Sequence, residues 1–349
     1  MTKVLHIVWS YGNGGMENIV RSLIDSDNKN FNNHLCIIND DIDSKSINDI
    51  SSNKLTFIRR KRGSKNFIKF IPFFYHIFKL KPDIIHLHSC NLINLIYPIK
   101  KLIGFKIVTT IHGMNDFDKS VRKSDVIVCV SNTQLAYMKK NIAKHNIKIN
   151  QLVSVDNGIK MYAKNEIKNF NKKLKIVVVG RLNHYQKRQD FILKAFSKMM
   201  DLDIKASLTI IGSGNSKKYL QKKCKDLKLN DKVYFLGSIS NKTLIKLLKN
   251  FDIMISASKE ETFGLNIIEA LSLGLPIAAY PAQSIQEISK GTKIVRYFKN
   301  EDELIKIVKN IKKISYDDRL LSQNIIREKY QLKNMLNKYH NIYRLENGK

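Results

Sequence analysis

Residues 253–279 read Ile-Met-Ile-Ser-Ala-Ser-Lys-Glu-Glu-Thr-Phe-Gly-Leu-Asn-Ile-Ile-Glu-Ala-Leu-Ser-Leu-Gly-Leu-Pro-Ile-Ala-Ala. The apolar run 253–256 is short enough for a strand. A polar loop follows, then a helical stretch over 264–273 opened by Gly264. Gly274-Leu275-Pro276 stops that helix, and a second apolar run begins at Ile277. Strand, helix and strand in this order make a crossover between parallel strands. Near-continuous apolar strands of this kind belong to sheets covered on both faces.

The same rhythm extends in both directions. Upstream in this half, strands are expected at 175–179, 207–211 and 233–236, with helices at 188–200, 214–227 and 241–250. The first half repeats it, with strands at 4–9, 34–38, 55–58, 84–87, 107–111 and 126–130. Its helices are expected at 17–24, 65–80, 92–102 and 133–142. Two such blocks in 349 residues predict two doubly wound α/β domains. The polar, basic stretch 160–173 reads as the hinge between them. Beyond residue 300 the chain reads as helical (301–313, 318–329, 331–345), too short for a third domain. The expected division is 1–165, 172–315, and a tail over 316–349 packing back toward the first domain.

Composition narrows the class. Apolar residues make up 43% of the chain, enough for two cores, and 5 Pro with 15 Gly exclude a linker or collagen-like chain. Lys and Arg number 61 against 30 Asp and Glu, a net +31. That excess suits a polyanionic partner: nucleic acid, an anionic membrane surface or a phosphate-bearing substrate. Lysines set among Asn and Ile also fit a compositional bias. Cys36, Cys90, Cys129 and Cys224 lie far apart without a CxxC, which fits a reducing compartment and no disulfide or zinc framework. The opening MTKVLHIVWSYGNGG reads as a first strand, and no run of 18 apolar residues predicts a membrane span. The expected location is the cytoplasm, peripheral on the inner face of the cytoplasmic membrane. Residues 59–81 favour that surface, because Arg59-Arg60-Lys61-Arg62 precede Phe67, Phe70, Phe73, Phe74 and Phe78. The alternative is an ordinary amphipathic helix kinked at Pro72.

Several motifs carry chemistry. Gly12-Asn13-Gly14-Gly15-Met16-Glu17 lies between a strand and a helix, where glycine admits close ligand approach and the helix N-terminus suits phosphate. It is neither GxGxxG nor a GxxxxGK[ST] P-loop. His112-Gly113 ends a strand on the side where open α/β sheets bind ligands. His86 and His88 alternate on one strand without a third metal ligand at a diagnostic spacing, and read as structural. Gly180-Arg181-Leu182, with Lys187-Arg188 beyond, makes an anion cradle at a strand end. Gly212-Ser213-Gly214 ends the next strand. Glu261 and Glu269 are eight residues apart, and Glu269 lies in an otherwise apolar helix, a costly place for a carboxylate unless it is paired or binds a ligand. Carboxylates accept hydrogen bonds from vicinal hydroxyls such as those of ribose or hexose. Asp41-Ile42-Asp43 and Asp201-Leu202-Asp203 read as solvated loop acids and not as metal-binding DxD motifs.

Taken in order, the GG loop, HG, Asn157-Gly158, GRL…K, GSG, Phe235-Leu236-Gly237, E-x7-E and GLP resemble the family 4 glycosyltransferases (glycosyl transferases group 1) over roughly residues 3–290. The resemblance implies the GT-B fold, two Rossmann-like domains facing across a cleft. It implies a retaining, nucleotide-sugar-dependent hexosyltransferase that needs no metal or other cofactor. By the same resemblance Arg181 and Lys187 bind the donor diphosphate and Glu269 the ribose hydroxyls. Glu261 holds the donor sugar beside Thr262, Phe263, Gly264 and Leu265. Gly14, Gly15, Gly180 and Gly212 bring backbone close to the donor, and His112 lies at the donor sugar. The family usually has glycine where Arg188 stands. The expected partners are a UDP-, GDP- or ADP-sugar and a lipid-diphosphate-linked saccharide acceptor in bacterial O-antigen or capsule assembly. The 59–81 segment would bind an anionic membrane, and no specific nucleic acid is expected. The rival readings are a basic nucleic-acid- or membrane-binding module without transferase activity, and a GT-B-fold sugar epimerase.

Overall fold

The computed structural model describes residues 1–349 apart from Asn13, Asp27, Asn48, Asp49, Lys65, Asn115, 162–166 and 345–349. The chain forms two compact units, Met1–Gly158 with Leu332–Lys349, and Ile159–Gln331. The boundary expected at residue 165 lies outside the described residues, as do five positions of the 160–173 hinge.

Among the described residues, the first unit holds seven parallel strands: β1 (Thr2–Val8), β2 (Phe31–Asn39), β3 (Leu55–Arg60), β4 (Ile84–Leu87), β5 (Lys106–Ile111), β6 (Val126–Cys129) and β7 (Leu152–Ser154). Their order is β3-β2-β1-β4-β5-β6-β7. The described residues of the second unit hold six: β8 (Leu174–Val179), β9 (Ala206–Ile211), β10 (Val233–Gly237), β11 (Ile253–Ser256), β12 (Ile277–Ala279) and β13 (Val295–Tyr297), in the order β10-β9-β8-β11-β12-β13. Both sheets are parallel throughout and doubly wound, with the order reversing between β1 and β4 and between β8 and β11. The central strands β4, β6, β11 and β12 are buried along their whole length, as helices on both faces require. The expected strands all form, within a few residues at each end. The two that sequence reading misses, β7 and β13, are three-residue edge strands with little apolar run to betray them.

The tail divides between the units. The helix Tyr316–Lys329 stays with the second, because Arg319 donates to the carbonyls of Gly274 (2.9 Å) and Lys168 (2.7 Å) and its guanidinium lies 4.8 Å from the Phe170 ring centroid. The helix Leu332–Arg344 belongs to the first, where Tyr343 meets His86 at 2.7 Å and Tyr339 meets Thr110 at 3.1 Å. The four cysteines are free and buried.

In the 59–81 segment, Pro72 sits in the first turn of the helix Ile71–Leu80, where its missing N–H costs nothing, and makes no kink. A 3₁₀ turn, Phe67–Phe70, precedes it. The apolar residues point two ways. Phe70, Phe73 and Ile77 enter the core, while Phe67 (65% exposed), Ile68 (69%), Ile71 and Tyr75 (64%) face solvent. The basic run is only partly free. Arg60 lies 4.9 Å from the Phe70 ring centroid and donates to Asn39, and Arg62 pairs with Asp41 at 2.7 Å. Among the described residues, no helix is long and apolar enough to cross a membrane.

Candidate active site

In the second unit, β8 and β11 are neighbours at the point where strand order reverses, and the loops that leave them open a crevice at their C-terminal ends. The loop after β8 carries Gly180 and Arg181, and the one after β11 carries Glu261 to Gly264. Asn266 ties the two together by donating to the Val179 carbonyl at 2.7 Å.

The glycines answer to geometry. A Cβ on Gly212 would stand 1.9 Å from the Gly180 carbonyl oxygen, and one on Gly214 would stand 2.4 Å from that of Leu182. Hydrogen bonds from Gly180 N–H to Ile211, Leu182 N–H to Ser213 and Gly212 N–H to Gly237 lace the ends of β8, β9 and β10. Gly264, at φ +91°, turns the chain into the helix Leu265–Leu271 and is packed among Glu261, Ile267 and Ile288.

Charged groups occupy this crevice. Lys187 Nζ donates to Glu261 Oε2 at 2.5 Å, with about a fifth of each side chain exposed. The Glu261 backbone carbonyl accepts from Ser284 at 2.5 Å. Arg181 is exposed, and its guanidinium has no partner among the described residues. Glu269 is only 7% exposed. Burial pushes its carboxyl up to about 7, against a hydrogen bond of 2.5 Å from the Asn241 amide. Phe263 is buried against Tyr330 (5.7 Å between centroids), so only its backbone is available to a ligand; Thr262 and Leu265 are half-buried at the helix entrance.

Arg188 does not add to the cradle as a simple extra cation. It holds a left-handed backbone (φ 52°), which accounts for the preference for glycine there. Its guanidinium lies 4.6 Å from the Phe191 centroid and 5.1 Å from that of Tyr280.

In the first unit, Gly14 caps the helix Gly15–Ile24 and Glu17 folds back over it, accepting from Gly12 N–H at 3.1 Å. A Cβ on Gly14 would meet that carboxylate at 2.6 Å. Asn13 lies outside the described residues. His112 follows β5 and is half-buried, with burial holding its pKa down at about 4. The adjoining Gly113 carbonyl accepts from buried Gln134 at 3.1 Å.

Sequence reading offered no third partner for His86 and His88. The fold supplies one, because His6 on β1 stands beside both. Ligand atoms of these three buried rings lie within 4.8 Å of one another. Asn241, Asn266, Gln134 and His6 escaped notice because each meets its partner only through strand order. Of the acidic strings, Asp41 pairs with Arg62, Asp43 accepts from Ser46, and Asp201 and Asp203 are exposed at a helix end.

Residues 162–332 match the family model described as glycosyl transferases group 1, and residues 13–159 match that of glycosyltransferase family 4. An uncharacterised glycosyltransferase of Methanocaldococcus jannaschii is 32% identical over 186 residues, 49% of this chain and 44% of its own. The N-acetyl-α-D-glucosaminyl L-malate synthase of Bacillus anthracis is 27% identical over 228 residues, 59% of this chain and 58% of its own. The chain thus spans about half the length of these two relatives. An O-antigen biosynthesis glycosyltransferase of Escherichia coli is 25% identical over 255 residues, 70% of this chain and 66% of its own. Among solved structures, the Anabaena HepE protein crystallised with UDP and glucose superposes with a TM-score of 0.80 at 14% identity, covering 99% of this chain and 100% of that one. Two doubly wound parallel-sheet units, two adjoining family matches and this likeness agree: the chain belongs to the family 4 glycosyltransferases (glycosyl transferases group 1) and has the GT-B fold.

Proposed function

We propose that this protein transfers a sugar from a nucleoside diphosphate sugar to an acceptor hydroxyl, with retention at the anomeric carbon and without a metal. The observation that carries this reading is the pairing of Lys187 with Glu261 at the β8–β11 switch point, with exposed Arg181 on the loop after β8 and buried Glu269 on the helix that Gly264 opens. Two cations and two carboxylates there match a ligand that joins a diphosphate to two sets of hydroxyls. Lys187 exchanges Glu261 for the diphosphate, and the freed carboxylate accepts from the sugar. Arg181 completes the phosphate contact and Glu269 takes the ribose hydroxyls. The Gly180 and Gly212 loops, and the backbone of Thr262 to Leu265, bring main-chain groups to the donor. Gly14 and Gly15 offer helix N-terminal amides, and His112 contacts the donor sugar.

Negative charge grows on the leaving diphosphate, so fixed cations stabilise the transition state more than the ground state. Glu261 and Glu269 read as binders, which favours substitution from the front face, with the leaving phosphate accepting the acceptor's proton. For the acceptor we favour a lipid-diphosphate-linked saccharide in surface polysaccharide assembly. The exposed face of Phe67, Ile68, Ile71 and Tyr75, flanked by exposed Arg59, Lys61, Lys69 and Lys79, suits an anionic membrane surface. The Escherichia coli relative's role in O-antigen synthesis supports that pathway.

Purified protein is to be incubated with UDP-, GDP- and ADP-sugars in EDTA. Slow release of one nucleoside diphosphate, lost in Glu269→Ala and Arg181→Ala, is expected. Turnover that needs added divalent metal would refute metal independence. No turnover together with no nucleotide binding by calorimetry would remove the transferase reading and return the basic surface to a binding role.

A further inference from the structure

Four side chains in the first unit, three of them buried and His112 half-buried, form a line. Asn33 Oδ1 meets His6 Nε2 at 3.3 Å, His6 Nδ1 meets His88 Nε2 at 3.2 Å, and His88 Nδ1 meets His112 Nε2 at 3.0 Å. Asn33, His6 and His88 are at most 3% exposed. We infer that Asn33, His6 and His88 are positioning residues that fix His112 as its Nε2–H tautomer and leave its Nδ1 a bare hydrogen-bond acceptor.

The direction follows from the Asn33 end. Its Nδ2 donates to the Leu23 carbonyl at 3.0 Å. A carbonyl can only accept, so the amide orientation is set and Oδ1 faces His6. His6 must therefore donate from Nε2. A neutral ring has one N–H, so His6 Nδ1 is an acceptor and His88 Nε2 must be its donor. The same step along leaves His88 Nδ1 an acceptor, and His112 donates from Nε2. Burial keeps all three rings neutral, holding His6 and His112 at about 4 and His88 well below its ordinary value. The His86 ring lies 4.3 Å from that of His88 between centroids, tilted by 33°, but stands outside the line, its nitrogens engaged at 2.7 Å by Tyr343 and Thr110. The consequence for catalysis rests on the transferase reading: a bare Nδ1 accepts from a hydroxyl of the donor sugar and cannot donate to it.

The test is two-bond ¹H–¹⁵N spectroscopy on histidine-labelled full-length protein at neutral pH, with His112 assigned from His112→Gln. Protonated Nε2 and unprotonated Nδ1 are expected. The opposite tautomer, an imidazolium, or a metal ion retained by the His6–His86–His88 cluster would overturn the relay. His88→Phe is expected to give a tautomer mixture at His112 and slow sugar transfer about fivefold, the size of one neutral hydrogen bond, with nucleoside diphosphate affinity unchanged. Should that variant not fold, His6→Phe makes the same test one link further away, and the wild-type spectrum stands without either. The expected spectrum from a protein that turns over no donor would overturn the role of His112 in transfer while the tautomer assignment stood.

Discussion

Glu269→Gln separates the cost of a buried carboxylate from its use. In the folded chain Glu269 titrates at about 7, against an ordinary 4.5, because its helix withdraws it from water. Between those values the folded protein keeps a proton that the unfolded chain has released. Stability from this group is therefore whole below pH 4.5 and falls as pH rises toward 7. At about 1.4 kcal/mol per pH unit, the gap amounts to about 3 kcal/mol above pH 7. Glutamine fills the same space, keeps an oxygen for Asn241 and does not titrate. The variant should melt with the wild type near pH 4 and above it at pH 8, by roughly 6–12 °C for a unit of this size. Melts of both proteins across this range are the assay. Parallel curves would refute the reasoning, since they would mean that Glu269 is hydrated like a surface acid. If the ionised carboxylate binds ribose, the variant also loses a pH-dependent part of nucleotide affinity. In the wild type that part rises about tenfold per unit as pH climbs toward 7; the diphosphate's own titration is common to both proteins.

Lys187→Met should weaken nucleoside diphosphate binding 10- to 100-fold, roughly the value of a charge-assisted hydrogen bond, and lower the melting temperature. Adding Glu261→Gln should restore the melting temperature but not the affinity, as read by calorimetry. Gly212→Ala should cost about 3 kcal/mol or more in denaturant unfolding, because its Cβ would overlap the Gly180 carbonyl. Gly180→Ala meets nothing within 4 Å and should cost only backbone strain, about 1–2 kcal/mol. Ile68→Asp should abolish flotation with anionic vesicles and leave donor hydrolysis in solution unchanged; retained flotation would exclude this face as the membrane contact.

Much of the fold was legible because a parallel sheet writes itself as repeated apolar runs. Strands 84–87, 253–256 and 277–279 were bounded to the residue, since each is buried throughout and flanked by Gly, Pro or polar loops. The edge strands β7 and β13 left no comparable mark. The charged groups of the proposed donor site were legible as motifs too, since Gly180-Arg181, Lys187, Glu261 and Glu269 stand in short local patterns near strand ends and helix starts.

The sequence by itself determined which chemical groups the site would contain and that they would gather at the C-terminal edges of parallel strands. Periodicity and glycine punctuation are properties of neighbouring residues. Only the tertiary structure decided which groups meet. Lys187 reaches Glu261 across 74 positions and Asn241 reaches Glu269 across 28, because β8, β11 and β10 are ordered in space differently from in sequence. His6, His88 and His112 join for the same reason, as β1, β4 and β5 lie side by side. Strand order carries no local signal, since it is selected by the packing of whole helices against whole sheets.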